Sequence, residues 1–97
     1  MRPQSRGAVY IHSTDPDEAL TIAPNYLADP SDRRELANAT FLARSLLQND
    51  PISKFLAEEL QPGVSVVNTP ESLESIIQKL TTTYHHAIGT CRMGSDG

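Results

Sequence analysis

Thr69-Pro70-Glu71-Ser72-Leu73-Glu74-Ser75-Ile76-Ile77-Gln78-Lys79-Leu80 carries the clearest helix signal in the chain. A threonine able to cap backbone N–H groups precedes a proline whose fixed φ suits the first helical position. Leu73, Ile76, Ile77 and Leu80 then recur at i, i+3, i+4 and i+7, so one face is apolar. The β-branched run Thr81-Thr82-Thr83 lowers helix propensity and should end the element. A helix with one apolar face needs a partner layer.

Candidates for that layer lie upstream. Pro30 and Ser31 lead into a second periodic stretch, with Asp32 as N-cap and Glu35 three residues on to complete a capping box. Leu36, Ala39, Ala43, Leu46 and Leu47 are its expected buried stripe, and its end falls near Gln48 or Asn49. Asp50-Pro51 reads as another cap and first turn, with Ile52, Phe55, Leu56 and Leu60 as the apolar face of a shorter helix stopped by Pro62-Gly63. Val64 to Val67 has no clear state. Earlier still, residues 7–13 read as a strand, Val9 and Ile11 on one face and Ala8, Tyr10 and His12 on the other. Residues 14–18 are turn formers, and residues 19–23 form a second strand with Leu20 and Ile22 on one face, ended by Pro24. The connection is too long for a two-residue hairpin turn. The expected order is β-β-α-α-α, an α+β arrangement in one domain.

Composition narrows the function classes. At 38% hydrophobic and 21% charged, the chain of 97 residues is of globular type and of single-domain size. A net charge of −4 and scattered basic residues argue against nucleic-acid binding, which calls for a basic stripe. No apolar run is long enough to span a bilayer. The N-terminus lacks the apolar segment of a secretory signal. The single cysteine, Cys91, excludes an internal disulfide framework and suits a reducing compartment such as the cytoplasm.

Residues 83–94, Thr-Tyr-His-His-Ala-Ile-Gly-Thr-Cys-Arg-Met-Gly, concentrate the reactive side chains. A histidine can take or give a proton near neutral pH. His85 and His86 are adjacent, so on an extended segment they point to opposite faces and do not share one task. Gly89 permits a turn or a close approach to a ligand. At the end of an element, a histidine is commonly a hydrogen-bonded structural residue, and that reading stands beside the catalytic one. A metal site would have to draw on His12, His85, His86, Cys91 and Asp96, and these show no metal-binding spacing, so none is expected. Cys91 paired with a histidine would be a hydrolytic nucleophile, but it carries no local signature and behaves equally as a small buried hydrophobe.

The ordered set Pro3-x-Ser5-Arg6-Gly7, Ser13-x-Asp15-Pro16, Asn25-Tyr26-Leu27 and Tyr84-His85…Gly89-Thr90-Cys91-Arg92-Met93-Gly94 resembles the C-terminal homology region of the glucose–methanol–choline (GMC) flavoprotein oxidoreductases. Within that family it is most similar to the choline-dehydrogenase-like alcohol dehydrogenases. The resemblance implies an FAD enzyme that oxidises a small-molecule alcohol by hydride transfer to the flavin. It places residues 1–97 in part of a substrate-binding domain, an antiparallel sheet with helices on one side. His85 matches the catalytic histidine, which handles the hydroxyl proton; no role carries over to His86. The chain contains no Gly-x-Gly-x-x-Gly, so the dinucleotide-binding unit is absent from it. The family's second catalytic position would lie beyond Gly97. The expectation is therefore a fragment that neither holds FAD tightly nor turns over alcohol without the remainder of its parent flavoprotein. The alternative is a free-standing small α+β domain that binds a ligand or partner without catalysis.

Overall fold

The computed structural model describes residues 2–95. Its elements run β1 (Ala8–Tyr10), β2 (Thr21–Ala23), α1 (Pro30–Leu47), a 3-10 turn (Ile52–Phe55) and α2 (Pro70–Leu80). The α+β class expected from the sequence is what is found.

β1 and β2 pair antiparallel with Ala8 opposite Ala23, Val9 opposite Ile22 and Tyr10 opposite Thr21. Both strands are shorter than their patterns suggested. The connecting loop is shaped locally: the Ser13 hydroxyl accepts the Asp15 N–H at 3.0 Å, and the Asp15 carboxylate accepts the Asp17 N–H at 3.0 Å. Gly7 enters the hairpin where the backbone turns past Ala23 and Pro24. A Cβ there would lie 2.6 Å from both of their carbonyl oxygens, so only glycine fits.

α1 begins earlier than its capping-box pattern suggested. The N-cap is Asp29, whose carboxylate accepts the Ser31 N–H at 2.8 Å, and Pro30 is the first helical residue. Asp32 is not a cap. It is buried, and its carboxylate receives the N–H groups of Gln4 at 2.8 Å and Ser5 at 2.7 Å together with the Ser5 hydroxyl. This clasp ties the chain entering β1 to the start of α1.

α2 follows its pattern closely. Thr69 is the N-cap, Pro70 the first helical residue and Thr81 the C-cap. Leu73 and Ile77 are buried against α1, where Ala37 is fully buried. Leu27 completes this small core. Its backbone sits in the left-handed region at φ 57, unusual for leucine. Its carbonyl is pinned there by Arg33 at 2.7 Å and by the Gln78 amide at 3.2 Å.

Two further expectations fail. The stripe Leu36, Ala39, Ala43, Leu46 and Leu47 does not form the core: Leu46 is 58% and Leu47 43% exposed. The covered face is instead Arg33, Ala37, Thr40 and Arg44, an equally regular i, i+4, i+7, i+11 series. Small Ala37 lets the two helices approach. The second helix over residues 50–60 is only a four-residue 3-10 turn. Phe55 and Leu60 are 86% and 80% exposed, so no packing rewards a longer helix.

Arg44 organises the segment between the helices. Its guanidinium is buried and donates to the carbonyls of Val66 at 3.0 Å and Gly63 at 3.2 Å, to Asn68 Oδ1 at 3.4 Å, and to the Glu59 carboxylate at 2.5 Å. The radius of gyration is 18.3 Å, against about 12.5 Å for a compact chain of this length. The molecule measures 57 by 30 by 23 Å, an elongated body with much apolar surface uncovered.

Candidate active-site segment

α2 positions the histidine-bearing segment. Its last turn closes on Thr81, whose N–H and hydroxyl both donate to the Ile77 carbonyl, at 2.9 and 2.7 Å. Because Ile77 is buried, the point at which the chain leaves the helix is fixed by the core. Residues 81–95 then run without regular structure.

His85 lies two residues past half-buried Thr83, and its N–H donates to Thr83 Oγ1 at 3.0 Å. Its backbone is left-handed at φ 63. The imidazole is exposed, as are Tyr84 and His86. Gly89 has φ 98, with nothing within 4 Å of where a Cβ would stand. The glycine is thus required by backbone conformation here, not by crowding. Ile88, at 94% exposed, and Met93 are apolar side chains presented fully to the outside. Cys91 is a free, exposed thiol. It is not the buried hydrophobe that the sequence allowed.

The other candidates are dispersed. His12 lies just past the end of β1, where its Nε2 meets Oγ1 of Thr21, the first residue of β2, at 2.5 Å. Among the described residues no three of His, Cys, Asp and Glu come together as metal ligands. Asp96 lies outside the described residues. Sequence reasoning overlooked Thr83 as a partner of His85 and Arg44 as a buried hub. A hydroxyl two residues before a histidine in a loop is a weak local signal for the first. The second rests on contacts with residues 15 to 24 positions away and had no local signal.

Two shallow cavities of about 400 and 390 Å³ are lined by Arg33, Glu71 and Gln78 in one case and by Arg44, Leu56 and Val64 in the other. Neither is lined by any residue of the histidine-bearing segment.

The family model described as GMC oxidoreductase matches residues 3–97. The chain belongs to the GMC oxidoreductase family. Among curated relatives, an oxygen-dependent choline dehydrogenase of Cronobacter sakazakii is 35% identical over 99% of this chain. An alcohol dehydrogenase [acceptor] of Pseudomonas putida is 34% identical over 97% of it. An oxygen-dependent choline dehydrogenase of Photobacterium profundum is 30% identical over 98%. The chain spans 17% of the length of the first two and 16% of the third. No solved structure matches it. Among the described residues no helix is long and apolar enough to cross a membrane.

Proposed function

We infer that residues 1–97 are part of the substrate-binding domain of a larger FAD-dependent oxidoreductase acting on the CH–OH group of a small alcohol, with His85 as its catalytic acid/base. The observation that carries this reading is the match of the family model to residues 3–97, which takes in the whole Tyr84–Gly94 motif. Two relatives named choline and alcohol dehydrogenases support the same class of reaction.

When bound, FAD supplies the acceptor for the hydride that leaves the carbinol carbon. The part assigned to this chain is proton handling. A histidine held within hydrogen-bond reach of the substrate hydroxyl takes its proton as the C–H bond is cleaved, which lowers the barrier to forming the carbonyl. Exposure of His85 suits a group whose partners come from elsewhere in the protein, because none of the described residues covers it. Without those other parts, the chain is expected to be inactive.

The test is His85→Ala in the longest native polypeptide that contains this sequence. Alcohol oxidation should fall by roughly 10²–10⁴-fold with bound flavin unchanged. Activity within a few-fold of the parent would remove His85 from the chemistry. A native polypeptide of 10.6 kDa would favour the free-standing binding domain instead.

A further inference from the structure

We propose that Thr83 is a positioning residue for His85, acting through the hydrogen bond that its Oγ1 accepts from the His85 N–H. This rests on the reading of His85 as the proton-handling group and adds to it the means by which that group is held.

A left-handed backbone is uncommon outside glycine, although histidine adopts it more readily than most residues, and here it sets the direction in which the side chain leaves the chain. The peptide that leads into His85 is held locally. The N–H donates 3.0 Å to Thr83 Oγ1, the turn that a serine or threonine hydroxyl makes with the amide two residues on. That bond holds the plane of the Tyr84–His85 peptide, from which the Cα and side chain of His85 depart. If the acceptor is lost, that plane is free to turn about the Tyr84 torsions, which carries Cα–Cβ of His85, and with it the imidazole, away from its present direction. Thr83 is in turn well placed to serve as a fixed point. It is half-buried, whereas every residue from Tyr84 to Ser95 is exposed. Two residues before it, Thr81 closes α2 on the carbonyl of buried Ile77. The path from core to imidazole therefore runs through buried Ile77, the Thr81 cap, Thr83 and the His85 amide.

The chemistry of the position separates an acceptor from a space-filler. Thr83→Val keeps the branched shape and removes the oxygen. Thr83→Ser keeps the oxygen and removes a methyl group. In the full-length protein, steady-state alcohol oxidation, flavin content and thermal unfolding are measured for both, with His85→Ala alongside. A hydrogen bond of ordinary strength corresponds to a loss of about tenfold in kcat for Thr83→Val. KM, flavin content and unfolding temperature should stay at parent values, and Thr83→Ser should retain kcat within about twofold, since it keeps the acceptor. Parent-like kcat in Thr83→Val, with His85→Ala inactive, overturns the positioning role and leaves the proposed function standing. Equal impairment of both Thr83 variants, or loss of flavin or stability in Thr83→Val, makes Thr83 a packing residue and also overturns it. An active His85→Ala variant withdraws the proposed function, and the role of Thr83 with it.

Discussion

The carboxylate of Asp32, in the first turn of α1, receives both the N–H and the hydroxyl of Ser5, a residue 27 positions earlier. The same hydroxyl oxygen accepts the Asp29 N–H at 3.0 Å, so one side chain links the helix cap to the first turn. The segment entering the hairpin is thereby fastened to the helix by charge-assisted bonds, with little apolar packing beneath them.

This clasp makes the junction sensitive to acid. Bonds from the Ser5 hydroxyl and the Gln4 N–H hold the Asp32 carboxyl below the usual carboxylate range. Asp29 is held low by the hydroxyl and then the N–H of Ser31. A carboxyl with a lowered native pKa stabilises the fold fully above its unfolded value of about 3.9 and ceases to do so as pH falls through the native value. NMR titration of the Gln4 and Ser5 amides should give midpoints below that value, with loosening of the hairpin in the same window. Asp32→Asn should remove both effects. A midpoint at or above the ordinary value would show the clasp to be weak.

Gly7→Ala should destabilise the hairpin by about 1–3 kcal/mol, because the new methyl group meets two backbone carbonyl oxygens that cannot rotate away. Native-state hydrogen exchange of the β1 and β2 amides measures it. Unchanged protection would mean that the backbone there can shift.

Leu73→Ala empties the centre of the α1–α2 contact. Leu73 is fully buried, and such truncations cost about 2–5 kcal/mol. The loss should appear in the exchange of α1 as well as α2 amides, since they share this core. An effect confined to α2 would contradict the packing described.

The 97-residue chain on its own should bind hydrophobic dyes and self-associate, because Leu42, Leu46, Phe55, Leu60 and Val64 all lie open. Leu42→Lys with Leu46→Lys should reduce both effects. Light scattering and dye fluorescence decide it, and a monomeric chain that ignores the dye would mean these residues are covered in solution.

Sequence alone was most informative where the physics is local. Thr69-Pro70 set the start of α2, because a capping hydroxyl followed by proline needs nothing distant. The same rule applied to Pro30 would have chosen Asp29 as the cap of α1. The Glu35 capping-box pattern drew attention to Asp32 instead, whose true partners lie 27 and 28 positions away. The Leu36–Leu47 stripe was correctly seen as helical, yet periodicity does not say which face meets α2, and a buried arginine lies outside any hydrophobic pattern. The histidine motif was legible as chemistry, while the bond between the His85 N–H and the Thr83 hydroxyl emerged only from the geometry.

The two long-range ties differ in what can undo them. The Asp32 clasp depends on a carboxylate that acid neutralises. The Arg44 hub depends on a guanidinium that stays charged at every accessible pH, and three of its four acceptors are uncharged oxygens. Acid should therefore dismantle the molecule in order, releasing the hairpin while the helix pair and the loop gathered around Arg44 stay assembled.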